Sequence, residues 1–146
     1  MICLVTGAAG FIGSHLCRRL LKEKYSVIGI DSFADYYPKW IKEKNIASLT
    51  SDENFDFIAD EINTMDISSF IKKTDFVFHL AAHAGVRASW GQNFSIYIKN
   101  NIEATQKLLE TAKENPISKF IYASSSSVYG YCPELPTSES SPLHPY

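Results

Sequence analysis

Apolar residues along this chain gather in short β-favouring runs, separated by longer stretches in which they recur every three or four positions. Residues 2–5 (Ile-Cys-Leu-Val) form the first run, stopped by Gly7, and residues 11–23 then read as a helix. A second strand at 26–30 ends at Asp31, and Pro38 opens a helix to about residue 47. Residues 55–59 read as a third strand running into Asp60. Asp66 is placed to cap a short helix to about residue 73, and 76–80 is a fourth strand. The spacing then predicts a helix over 94–114, with Phe94, Ile98, Ile102, Thr105, Leu109 and Ala112 on its apolar stripe and Pro116 beyond its end. Residues 120–123 make a fifth strand that leads into Ser124-Ser125-Ser126-Ser127. Past Gly130, Pro133, Pro136, Pro142 and Pro145 mark a loop. Strands alternating with helices predict an α/β fold, a doubly wound parallel sheet covered on both faces.

At 146 residues and 45% hydrophobic content, the chain supports one core and one domain over residues 1–146. A net charge of −2 gives no reason to expect nucleic acid or an anionic membrane as partner. The uncharged opening stretch lacks the basic start of a signal peptide and is broken by Thr6, glycines, Ser14 and His15. Cys3, Cys17 and Cys132 have no metal-ligand or CxxC spacing, so they read as reduced thiols and point to the cytoplasm. His15, His79, His83 and His144 form no ligand cluster, and no metal is expected.

The chemistry is concentrated at the strand ends. Gly7, Gly10 and Gly13 occupy the first strand-to-helix turn, where a missing Cβ permits a tight turn, close approach of a pyrophosphate, and close packing of helix on strand. The helix start adds free N–H groups and a partial positive charge. Asp31 lies 18 positions after Gly13, near the spacing at which a carboxylate meets an adenosine ribose. Such a carboxylate accepts bonds from ribose hydroxyls and repels a 2′-phosphate, which favours NAD over NADP; a turn cap is the other reading of Asp31. Asn101 falls near a mostly apolar helix face, either as a satisfied packing amide or as a group that fixes active-site backbone or water. In a doubly wound sheet the ligand lies outside the carboxyl ends of the strands, and Gly7, Asp31, Asp60, Ala81, Ala82 and Ser124-Ser125 all converge there.

Taken in order, Val5-Thr6-Gly7-Ala8-Ala9-Gly10-Phe11-Ile12-Gly13-Ser14, His79-Leu80-Ala81-Ala82, Asn101-Ile102 and Ser124-Ser125-Ser126-Ser127-Val128-Tyr129-Gly130 resemble the extended short-chain dehydrogenase/reductase family of nucleotide-sugar epimerases and dehydratases. Within it, Ala81-Ala82-His83-Ala84-Gly85-Val86-Arg87 and the Asp31–Tyr37 stretch look most like UDP-glucuronate 4-epimerases. The resemblance implies a Rossmann-type fold, truncated after the fifth strand and its loop. It also implies NAD as cofactor, a UDP-sugar as substrate and a homodimeric parent. Gly7, Gly10, Phe11, Ile12 and Gly13 would hold the pyrophosphate, Asp31 the adenosine ribose, and Asp60 with Glu61 or Ile62 the adenine. Leu80, Ala81, Ala82, Asn101, Ala123 and Ser124 would complete the cofactor site.

The same resemblance makes Ser125, four positions before Tyr129, the catalytic hydroxyl, and Tyr146 the tyrosine that takes the C4 hydroxyl proton while hydride passes to NAD. Arg87 is either an anchor for the substrate's carboxylate or diphosphate, or a surface ion-pair partner. Ser125 and Ser126 would face the sugar. Related dehydratases carry an Asp-Glu pair just after the catalytic hydroxyl, and decarboxylases a Glu. Ser126 and Ser127 stand there, and hydroxyls are poor groups for eliminating water. A C4 epimerase is therefore expected. The alternatives are another nucleotide-sugar dehydratase or reductase, or a non-catalytic dinucleotide module. The lysine that lowers the tyrosine's pKa in the family would lie four residues after Tyr146, so the chain reads as an NAD-binding half with little turnover of its own.

Overall fold

The computed structural model of the chain describes residues 1–85, 87–131 and 135–145. Five strands, β1 (Ile2–Thr6), β2 (Ser26–Ile30), β3 (Phe55–Ile58), β4 (Phe76–His79) and β5 (Lys119–Tyr122), pair in parallel in the order β3-β2-β1-β4-β5. The order reverses between β1 and β4, which leaves a crevice beyond their carboxyl ends, Thr6 and His79.

Alternation along the strands supplies two cores. Cys3, Val5 and Val27 face one side, against Cys17, Leu20 and Leu21 of α1 (Phe11–Lys22) and Ile46 of α2 (Lys39–Ile46). Leu4, Ile28, Ile30 and Val77 face the other side. There they meet Ile71 of α3 (Ser68–Ile71) and Leu108 of the last helical run, which also contributes Ala104. That run is α4 (Phe94–Tyr97), a π turn over Ile98–Glu103, and α5 (Ala104–Glu114).

Two expectations need correction. Asp66 does not cap α3: Ile67 stands at that position, without a side-chain cap. The stripe expected to face the core over 94–114 leaves Phe94, Ile102 and Leu109 about half exposed (55%, 58% and 49%), whereas Tyr97, Ala104 and Leu108 are buried. The face turned inward includes Thr105, which the expected stripe contains, together with Asn101, and the polar groups of both are matched by partners on the β4 side, so apolar periodicity placed the inward face only in part.

Candidate active site

Gly7 starts the site with φ +69, a backbone conformation that favours glycine, and a Cβ on it would stand 2.9 Å from the Ala81 nitrogen. A Cβ on Gly13 would run into the Gly7 carbonyl, so α1 packs directly on the turn. Gly10 is the N-cap of α1 and brings no side-chain cap. The N–H groups of Phe11, Ile12 and Gly13, in the helix's first turn, therefore have no intrahelical acceptor. Phe11 and Ile12 expose their side chains beside that end. This is a cradle for an anion.

Asp31, at the end of β2, is buried to 6% exposure. Its Oδ2 accepts from the Ala9 N–H at 3.1 Å, and its Oδ1 from the Phe33 N–H at 2.9 Å and the Lys42 ammonium at 3.0 Å. The carboxylate caps its own turn, which is one of its two sequence readings, and it also lines a cleft. Asn45, one helical turn from Lys42, donates to the Ala9 carbonyl at 3.0 Å, so α2 grips the glycine turn as well as the acid. The cleft is bounded by Gly7, Gly10 and Asp31, by Asp60, Glu61 and Ile62, and by Leu80, Ala81 and Ala82. Tyr36, Tyr37 and Lys42 also line it. The Tyr37 hydroxyl is buried and has no hydrogen-bond partner among the described residues. Burial first, then the charge of Asp31, raise its pKa and keep it a neutral phenol.

A buried relay joins the ends of β1 and β4. The Thr105 hydroxyl donates to the Asn101 carbonyl at 2.8 Å, so at its 2.9 Å contact with His79 Nε2 the ring nitrogen must be the donor. Nδ1 is then the acceptor for the Thr6 hydroxyl at 2.7 Å. Thr6 Oγ1 in turn accepts from the N–H groups of Leu80 and Ala81. Burial pushes the His79 pKa down to about 4, in keeping with a neutral imidazole held in one tautomer. Asn101, in the π turn, continues the brace. Its Oδ1 accepts from the His83 N–H at 2.7 Å and its Nδ2 donates to the His83 carbonyl at 2.9 Å. Tyr97 adds a bond to the Ala84 carbonyl at 2.8 Å. The Leu80–Ala84 segment is thus tied to β1 and to the helical run by six hydrogen bonds.

Beyond this segment a second cleft opens. Ala81, Ala82, Asn101, Ala123, Ser124 and Ser125 all line it, and Ala81, Ala82 and His83 are shared with the first. Ser125 is exposed, and its hydroxyl accepts from the Ser127 N–H at 3.2 Å, capping a 3₁₀ turn over Ser126–Tyr129. Ser126 and Arg87 are exposed and line neither cleft. Arg87 opens a 3₁₀ turn over Arg87–Ser89. Tyr146, the expected proton acceptor, lies outside the described residues, as does Cys132. Among the described residues no three His, Cys, Asp or Glu side chains cluster as metal ligands, and no helix is long and apolar enough to cross a membrane.

Sequence reasoning gave Lys42, Thr6 and Thr105 no part in the site. A buried lysine runs against the ordinary reading of a charged helix residue as solvated, and the Asp31 partner that would betray it is distant in sequence. Thr6 was visible as the residue closing β1, beside Gly7, and His79 as a polar residue inside an apolar strand.

A family profile described as "NAD dependent epimerase/dehydratase family" matches residues 3–146. The chain is 49% identical over 150 aligned residues to "Uncharacterized UDP-glucose epimerase YtcB" of Bacillus subtilis (strain 168), covering all of this chain and 47% of that protein. It is 40% identical over 149 residues to a UDP-glucuronate 4-epimerase of Thermodesulfobacterium geofontis (strain OPF15), covering 98% of this chain and 46% of that one. Its fold superposes with a TM-score of 0.91, at 49% identity, on the crystal structure of UDP-glucuronic acid 4-epimerase from Bacillus cereus in complex with UDP-glucuronic acid and NAD. That match covers 99% of this chain and 46% of the other. The chain spans just under half the length of these relatives.

Proposed function

The chain belongs to the NAD-dependent epimerase/dehydratase family, and we propose that it is the dinucleotide-binding half of a nucleotide-sugar 4-epimerase of the UDP-glucuronate type. The observation that carries this reading is the convergence, at the reversal of strand order, of an uncapped helix start, a glycine turn with no room for a Cβ, and a buried acid one strand away. NAD fits that cradle: the free N–H groups of Phe11, Ile12 and Gly13 suit its pyrophosphate, Asp31 its adenosine ribose, and Asp60 with Glu61 or Ile62 its adenine.

When bound, NAD would supply a reversible hydride acceptor for the sugar's C4. The residues of this chain bind and orient. The braced Leu80–Ala84 segment forms the wall between the two clefts, so a sugar in the second cleft is held beside the cofactor in the first. Ser125 presents a hydroxyl to that second cleft as a partner for the reacting oxygen, and Tyr146 is assigned the proton from the C4 hydroxyl. Ser126 and Arg87 are left the outer edge of the sugar site. The half-exposed stripe of Phe94, Ile102 and Leu109 is assigned to a homodimer interface. Free buried thiols at Cys3 and Cys17, raised by burial to about 11 and about 12, suit a reducing compartment, the cytoplasm.

Calorimetry of the 146-residue chain with NAD tests the binding half of the reading. Saturable binding, lost in Gly13→Val, is expected, because the new side chain must displace the turn at Gly7. The absence of any heat from folded wild-type chain overturns it. Incubating a parent protein that continues past Tyr146 with UDP-glucuronate tests the activity, for which the expected product is UDP-galacturonate without net change in nicotinamide absorbance.

A further inference from the structure

The carboxylate assigned to the adenosine ribose is not alone. Lys42 is 9% exposed at its side chain and Asp31 5%, and the two form a buried ion pair on the cleft wall. An ammonium has three protons to donate. One meets Asp31, and among the described residues no other oxygen takes the remaining two. On another side the Tyr37 ring centroid lies 5.4 Å from Nζ. The hydroxyl of that same tyrosine is buried and, among the described residues, without a partner. Around one carboxylate there are thus unclaimed ammonium protons and an unclaimed phenol, all on the lining of one cleft. Buried polar groups left open cost stability unless something completes them, and a vicinal diol has both the acceptors and the donors to do so.

We propose that Lys42 is the cation of the adenosine-ribose subsite and sets how far that subsite rejects a 2′-phosphate, with the Tyr37 hydroxyl as its neighbouring hydrogen-bonding group. The proposal rests on the dinucleotide reading above and deepens it. Asp31 by itself makes the subsite net negative and repels a 2′-phosphate. Lys42 brings the pair to zero and moderates that repulsion, so discrimination between NAD and NADP is a balance of two charges rather than the work of one acid.

The test is the ratio of the NADP to the NAD dissociation constant, each measured by calorimetry on the 146-residue chain. Because both constants come from one preparation, any unfolded fraction cancels. Lys42→Met is expected to raise the ratio fivefold or more, Lys42→Arg to leave it within twofold of wild type, and Asp31→Asn to lower it fivefold or more. A Lys42→Met ratio that rises less than fivefold, or falls, overturns the proposal while leaving NAD binding intact. Failure of folded wild-type chain to bind either dinucleotide overturns the binding reading with it. Tyr37→Phe supplies a variant that removes only an unpartnered atom. Its ligand-free melting temperature is expected to hold or rise while NAD affinity falls severalfold, and an unchanged affinity removes the hydroxyl from the subsite.

Discussion

His79 shows how one buried side chain ties folding to the site. It reads Thr6 with Nδ1 and Thr105 with Nε2, and only the neutral ring does both, since a second ring proton would confront the Thr6 hydroxyl with a donor. Its pKa is about 4 in the folded chain against 6.5 when unburied. As pH falls below 6.5 the unfolded chain gains a proton that the folded chain refuses. Stability is therefore lost from 6.5 down to about 4, where the folded ring protonates too and the loss levels off. The full difference is on the order of 3 kcal/mol. Urea melts from pH 7.5 to 4 should show this decline in wild type. In His79→Gln the slope should flatten while stability at pH 7.5 drops by roughly 2 kcal/mol, because the relay loses its fit. Parallel slopes in the two proteins would assign the acid sensitivity to carboxylates instead. Asn101 acts on the same wall from the other side. Asn101→Ala removes both bonds to His83 and is expected to cost about 2 kcal/mol in the same melts.

The helix that carries the glycine cradle ends in a motif with a correctable fault. After α1, the Lys24 N–H bonds the Leu21 carbonyl at 2.9 Å and the Tyr25 N–H bonds the Leu20 carbonyl at 3.1 Å, a Schellman pair that needs a left-handed residue between cap and strand. Lys24 fills that place with φ +67. Lys24→Gly should raise stability by about 1 kcal/mol, read as a higher melting temperature with unchanged NAD binding, because the left-handed strain disappears and no contact is lost. Strands and glycine turn were legible in the sequence because each announces itself locally: apolar runs for the sheet, and glycines where a Cβ would collide. The inward face of the final helical run was legible only in part. Thr105 and Asn101 are half-buried and held by partners more than fifteen residues away, and no local pattern encodes that pairing. Lys42 was hidden for the same reason, its reading set by Asp31 on another element.

Taken as a whole, the chain keeps its cores covered on both faces of the sheet yet leaves apolar surface at several places, two of which bear on association. One is the helical stripe of Phe94, Ile102 and Leu109, and the other is the outer strand β5, where Ile121 and Tyr122 are exposed. An open strand edge pairs through backbone and a helical stripe through side-chain burial, so the two surfaces predict different responses to substitution. The helical stripe offers three large apolar side chains against the edge's isoleucine and tyrosine, and burying their exposed halves supplies a few kcal/mol, on the order of 1 kcal/mol each. If the stripe is the dimer surface, the chain is expected to self-associate at tens of micromolar in sedimentation velocity and Ile102→Glu with Leu109→Glu to leave it monomeric, with NAD binding retained because neither position lines a cleft. Both positions already face solvent, so the double variant should fold. If the double variant still associates and Ile121→Lys abolishes association instead, β5 is the contact and the helical stripe is not the dimer surface.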